Sequence, residues 1–258
     1  MNLKIKKILS KKNKTKIICL TSYTKNYSEI LDKYTDIILV GDSLGSVLYS
    51  FKTTKKVNLK MMIDHSRSVR QGVKKSLMVV DMPYNTYRNK AEALKNAKKI
   101  VKKTQADAIK VEGGKKIIKI IKHLRKNNIN VMGHLGILHQ IHKGKFRYKG
   151  KTISEKKNLL EDAYLLQKSG VFSIVLECIE TNLAKKITKE LKIPTIGIGS
   201  SVNCDGQVLV TDDLIGLNLT SIKFVKNFYN IRKHIESAVK KFSNEVKRKS
   251  YPSKKFSY

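Results

Sequence analysis

The sequence predicts an α/β fold, a single (β/α)8 TIM barrel spanning residues 1–258. Three observations predict it. Eight short apolar runs alternate with helical patterns along the chain, as strands do in a parallel sheet. Several runs, such as Ile37-Ile38-Leu39-Val40, are apolar throughout, the mark of strands buried on both faces. Most runs also end on a carboxylate, a glycine or a hydroxyl, and in a closed barrel those ends form one rim where chemistry sits. An open doubly wound sheet is the alternative. The chain has neither a G-x-G-x-x-G fingerprint nor a phosphate loop ending in Gly-Lys-Ser/Thr, which such a sheet commonly carries.

Residues 1–15 form a basic lead-in with helical spacing at Leu3, Ile5 and Ile8. The first strand is Ile17–Leu20, followed by a short helix around Ser28–Lys33. Asp36–Val40 is the second strand, ending on Gly41-Asp42-Ser43. Asn58 is placed to cap a helix through Met61, Met62, His65 and Val69. Leu77–Val80 is the third strand; Asp81-Met82-Pro83 closes it, because proline cannot continue a ladder. A helix over 91–103 leads to strand Ala108–Val111, ending in Glu112-Gly113-Gly114, and then a helix over 115–127. Asn128–Met132 is the fifth strand, before Gly133-His134-Leu135-Gly136. Residues 137–151 read as a long loop, a common form for lids and binding segments. Helix 154–168, strand Phe172–Leu176 ending on Glu177, and helix 182–191 follow. Strands Pro194–Ile198 and Gln207–Val210 complete the eight, and a last helix covers 222–247.

Length and composition narrow the function. A chain of 258 residues with 41% hydrophobic residues can bury a substantial core. No apolar run approaches the roughly 20 residues of a membrane helix, and the basic N-terminus lacks a signal-peptide core. A cytoplasmic protein with no membrane partner is expected. The net charge of +34 invites a nucleic-acid reading. However, only 7 of the 54 basic residues are Arg, and the lysines are spread over nearly every helix. The richness in Asn and Ile fits a drift toward A/T-rich codons, so no specific nucleic acid is expected. The charge should still attract anionic ligands. Cys19, Cys178 and Cys204 lack C-x-x-C spacing and read as reduced thiols.

Asp42, Asp81 and Glu112 stand at equivalent strand ends. Either each caps a neighbouring helix, or together they hold a cation, since burying several like charges is costly without one. Hard oxygen donors without a nearby thiolate suit Mg2+. Lys110 precedes Glu112 by two, so both side chains leave one face of the strand. Glu177 has no obvious basic partner in sequence and can act as a general base. His134 is either a hydrogen-bond donor to a substrate oxygen or a structural histidine. The spacing of His134, His139 and His142 fits no strong zinc pattern. A metal, a lysine and a spare carboxylate at one rim suit proton abstraction beside a carbonyl.

Read together, the segments resemble the ketopantoate hydroxymethyltransferase family. The matching pieces are Gly41-Asp42-Ser43-Leu44-Gly45, Asp81-Met82-Pro83-Tyr84, Lys110-Val111-Glu112-Gly113-Gly114, Gly133-His134-Leu135-Gly136, Val175-Leu176-Glu177, Ile193–Gly199 and Cys204–Val210. The resemblance runs from Lys16 to the last helix. It implies a barrel of the phosphoenolpyruvate/pyruvate type and transfer of a one-carbon unit from 5,10-methylenetetrahydrofolate to 3-methyl-2-oxobutanoate, giving 2-dehydropantoate in the first step of pantothenate biosynthesis. By matching positions it implies that Asp42 and Asp81 bind Mg2+, with Glu112 a further ligand, direct or through water. Asp42, Ser43, Asp81 and Lys110 would line the keto-acid site, and Glu177 would accept the proton. It also implies a homo-oligomer, commonly a decamer. The chain departs from the family pattern at Thr21-Ser22-Tyr23-Thr24, in the loop Gln140–Gly150 with Gly144-Lys145 and Lys149, and at Gly199-Ser200-Ser201.

Overall fold

The computed structural model describes residues 2–141, 147–218 and 222–258. They form two compact units, residues 1–210 and residues 211–258. The first holds all eight strands: β1 (Ile17–Thr21), β2 (Ile37–Val40), β3 (Leu77–Asp81), β4 (Ala108–Glu112), β5 (Val131–Gly136), β6 (Ser173–Glu177), β7 (Thr195–Ile198) and β8 (Gly206–Leu209). Each pairs in parallel with the next, and β8 pairs with β1, so the sheet is a closed barrel in sequence order.

Strand alternation sorts the apolar residues into two cores. Ile17, Ile37, Leu39, Leu77, Val79 and Ala108 belong to one, which is closed at the strand starts by Ile5 and Ile8 of α1 (Leu3–Ser10). Their neighbours in sequence, such as Ile38, Val40, Met78, Val80 and Ile109, pack with helix residues in the other. This is the period of two expected of strands with a barrel interior on one face and helices on the other. Continuing the interior parity to the strand ends reaches Asp81, Lys110, Glu112, His134 and Glu177. The barrel is therefore apolar at one end and charged at the other.

The outer ring of this unit is α2 (Lys25–Leu31), α3 (Leu44–Tyr49), α4 (Leu59–Gly72), α5 (Lys90–Thr104), α6 (Ile118–Lys126), α7 (Ile153–Lys168) and α8 (Thr181–Glu190). Asn58 caps α4 as expected, accepting from Met61 N at 3.0 Å. Thr152 caps α7, its Oγ1 accepting from Glu155 N. The Glu155 carboxylate accepts from Gly150 N and Lys151 N, which anchors the end of the long loop after β5. The second unit contains α9 (Thr211–Leu214) and α10 (Ile231–Lys247).

Several elements differ from expectation, among them α9, which has no counterpart in the sequence reading. β5 begins at Val131, not Asn128, because Asn128 takes φ 60° in the turn that ends α6. It also runs on through Gly136, since His134 pairs with Glu112 on one side and Val175 on the other. The helix α3, directly after Ser43, has no counterpart in the sequence reading. α10 begins at Ile231 rather than 222, because the N–H groups of Phe228 and Ile231 bond Leu214 O and Ile215 O instead of a preceding helical turn. No helix among the described residues is long and apolar enough to cross a membrane.

Candidate active site

Four strand ends and two loops bring their chemistry to one mouth. Lys110 Nζ lies 2.9 Å from Asp81 Oδ1 and 4.0 Å from Glu112 Oε1. Asp81 Oδ2 accepts from the backbone N of Asp42 at 3.0 Å, which ties the β2 and β3 termini together. Glu112 Oε1 lies 3.3 Å from His134 Nδ1, and His134 Nε2 lies 3.1 Å from Glu177 Oε2. His139 Nε2 meets Glu177 Oε1 at 2.7 Å. Asp42, Asp81, Lys110, Glu112, His134 and Glu177 are all buried.

Gln140 joins the carboxylates from the loop side. Its Nε2 donates to Asp42 Oδ2 and to Met82 O, each at 2.9 Å, and its backbone N donates to Glu112 Oε2 at 3.1 Å. Tyr87 OH donates in turn to Gln140 Oε1 at 2.5 Å. Asp42, Asp81 and Glu112 thus belong to one connected network. Ser43 stands at its edge, with Oγ 2.8 Å from Tyr23 OH.

The helix-capping alternative does not describe these carboxylates. The residue before α3 is Ser43, and its side chain makes no cap bond. The Asp42, Asp81 and Glu112 oxygens are instead held by Gln140, the Asp42 N–H and Lys110. The glycine pair after Glu112 is likewise not an open anion cradle. Lys115 N bonds Asp162 Oδ1 at 2.7 Å, and a methyl group on Gly114 would sit 2.0 Å from Asp162.

Electrostatics follow from burial among like charges. Burial, then Asp81 and Glu112, push the Asp42 carboxyl up to about 7. Burial also raises Asp81, despite Lys110 beside it. For Glu112, burial is outweighed by His134 and Lys110, and its carboxyl lies below the ordinary value. Burial of Lys110 is outweighed by Asp81, Glu112 and Asp42, which hold the ammonium charged. Burial of Glu177 is outweighed by His134 and His139, which bring it down to about 2. Burial and Lys110 oppose a charge on His134, but Glu112 and Glu177 raise it to about 9.

Asp42, Asp81, Lys110, Glu112, His134 and Glu177 therefore lie on one mouth, with Ser43 at its edge. Glu177, with no obvious basic partner in sequence, is flanked by two imidazoles. His134 is engaged at both ring nitrogens by protein carboxylates. Sequence reasoning missed Tyr87, Gln140 and the role of His139. Their only sequence signal is that Gln140 and His139 follow closely on Gly133-His134-Leu135-Gly136. His142 and Gly144-Lys145 lie outside the described residues.

The donor set fits a hard divalent cation. Asp81 Oδ1 is buried, and Lys110 reaches it as an ion pair outside hydrogen-bond angles, which leaves that oxygen lone-pair capacity. Four carboxylates face one ammonium and two imidazoles; with the carboxylates ionised and both imidazoles protonated, a divalent cation and a singly charged keto acid would bring the cluster to neutrality. Among the described residues no three His, Cys, Asp or Glu side chains are already drawn together as a formed metal site. The Gln140 amide already donates to one oxygen of Asp42.

A family model described as ketopantoate hydroxymethyltransferase matches residues 2–254. The 3-methyl-2-oxobutanoate hydroxymethyltransferase of Pelagibacter ubique (strain HTCC1062) is 64% identical over 258 residues, covering 100% of both chains. The enzyme of the same name from Helicobacter pylori (strain ATCC 700392 / 26695) is 41% identical over 252 residues, 96% of this chain and 93% of that one. Among solved structures, 2,3-dimethylmalate lyase, a PEP mutase/isocitrate lyase superfamily member, matches with a TM-score of 0.60 at 10% identity, covering 96% of this chain and 88% of that one. That likeness carries the fold alone, a closed (β/α)8 barrel. With the barrel, its charged mouth and these relatives in view, the chain belongs to the ketopantoate hydroxymethyltransferase family and is a transferase.

Proposed function

We propose that this mouth transfers a hydroxymethyl unit from 5,10-methylenetetrahydrofolate to 3-methyl-2-oxobutanoate, giving 2-dehydropantoate for pantothenate biosynthesis. The observation that carries the site assignment is the gathering of Asp42, Asp81, Glu112, Lys110 and Glu177 into one buried cluster at the strand ends. Asp42 and Asp81 would hold Mg2+, with Glu112 a further ligand, direct or through water. When bound, the ion polarises the keto acid's carbonyl and carboxylate oxygens.

The chain's own residues supply the rest. Lys110, held cationic by its carboxylate neighbours, offers a fixed positive charge to the anionic keto acid and to the oxygen on which charge develops. Ser43 and the β2 and β3 termini line the same keto-acid site. Glu177 takes the proton from C3. At about 2 it is a weak base, so the acidity must come from the carbonyl side of the substrate. His134 bridges Glu112 and Glu177 and couples the base electrostatically to the cation side. A cytoplasmic homo-oligomer, decameric by resemblance, belongs to the same reading. Exposed Ile235, Val239, Phe242 and Val246 along α10 offer apolar surface for self-association.

The test is exchange of the C3 hydrogen of 3-methyl-2-oxobutanoate with solvent deuterium, with and without Mg2+. Exchange should need the metal. It should fall by about 10²–10⁴ in Glu177→Gln and be nearly lost in Asp81→Asn. Full exchange in a folded Glu177→Gln protein would overturn the base assignment.

A further inference from the structure

The carboxylate of Glu177 is held very unequally. His134 Nε2 stands 3.1 Å from Oε2, but its direction is not that of a hydrogen bond. His139 Nε2 stands 2.7 Å from Oε1 in hydrogen-bond geometry. His139 therefore makes the shorter and better aligned of the two imidazole contacts with the base. It is also unlike the rest of the cluster in its setting. It sits on the irregular segment after β5, and its side chain is 36% exposed, against 3% for His134.

We propose that His139 is a positioning residue for the base, fixing one oxygen of Glu177 so that the other is presented to the C3 hydrogen of the keto acid. This rests on Glu177 being the proton acceptor. A carboxylate anchored at one oxygen has a fixed plane, whereas one without that bond can rotate about its last side-chain torsion, and such misplacement is costly in rate. The same imidazole contributes charge. The groups facing Glu177 are His134 from β5 and His139 from the following loop, with Glu112 of β4 behind His134. Burial alone would raise the Glu177 carboxyl, and the two imidazoles reverse that. Burial opposes a charge on His139, and its contact with Glu177 favours one. Removing His139 takes away the grip and part of the charge, and a glutamine in its place restores an N–H donor without charge.

The experiment compares wild type, His139→Ala, His139→Gln and Glu177→Gln, each with native circular dichroism, in Mg2+-loaded C3 exchange. A metal-free 13C titration of the Glu177 carboxyl accompanies it. His139→Ala should lower the maximal exchange rate about 10- to 100-fold with the half-saturating keto acid within about twofold. The Glu177 titration should move up by about 1–3 pH units. His139→Gln should recover most of the rate while keeping the raised titration. A His139→Ala protein with wild-type exchange and wild-type titration would overturn the proposal. So would a His139→Gln protein as slow as His139→Ala. Glu177→Gln with full exchange would remove the base reading itself, whereas a silent Glu177→Gln beside an unaltered His139→Ala would remove this inference alone.

Discussion

At the N-terminal end of the barrel, Ile5 and Ile8 of α1 lie against Ile17, Ile37 and Leu77 in an apolar cluster. Charges there lie off the inward-facing strand positions, as ion pairs: Lys11 with Asp36 at 2.7 Å and Lys12 with the buried Asp205 at 2.8 Å. At the opposite end, the same interior positions carry Asp81, Lys110, Glu112, His134 and Glu177. Apolar burial at the first end contributes stability at roughly 25 cal/mol per Å2. The charged end gains little net stability, because desolvation offsets most of its ion-pair attraction. The contrast assigns stability to one end and chemistry to the other, and substitutions can test that division.

The largest effect should come from Lys110→Met. It leaves Asp81 buried without its counter-charge, which should cost about 3–5 kcal/mol in denaturant unfolding. A small loss would mean that water reaches the mouth. Ile8→Ala at the closed end should cost about 2–5 kcal/mol and leave exchange per folded molecule unchanged. A changed rate would break the division between the ends.

Asp42→Asn should move the other way. The folded Asp42 carboxyl is raised from 3.8 to about 7, so the folded state binds more protons between those values and stability falls as pH rises through that window. Above it, in metal-free buffer, the substitution should stabilise by about 1–3 kcal/mol while abolishing exchange. Added Mg2+ should raise the melting temperature of the wild type more than that of the variant, an outcome read without any turnover. The smallest effect concerns His134, raised from 6.5 to about 9. Its contribution is fully present below the ordinary value and is lost as pH climbs through about 9. Between about pH 7 and 10 the wild type should lose about 1 kcal/mol more than His134→Gln.

Much of this molecule was legible in its sequence because the period of two is a local signal. It located every strand to within a few residues and put Lys110 and Glu112 on one face, which the inward parity of β4 bears out. It failed where the chain changes conformation. Asn128 looked like a strand residue, but its left-handed turn belongs to the preceding helix. Gly133-His134 looked like a loop because glycine is poor strand material, yet two neighbouring strands hold it in the ladder. Tyr87, His139 and Gln140 lie on irregular segments with no periodicity. They reach the carboxylates only because loops separated in sequence fold over the same strand ends. The pairing of His139 with Glu177 was invisible for that reason.

Asp205 stands just before β8, and its backbone and side chain bind the start of the chain: Ile17 N donates to its carbonyl, and Asn13 N and Lys12 Nζ donate to its carboxylate. The Lys12 contact spans 193 positions, and β1 remains an unpaired edge on that side until β8 arrives. During vectorial synthesis the ring cannot be sealed until β8 has left the ribosome. A nascent chain arrested before β8 would carry an open sheet with two raw margins, and the lysines crowding its flanks would keep such a fragment dispersed through mutual repulsion.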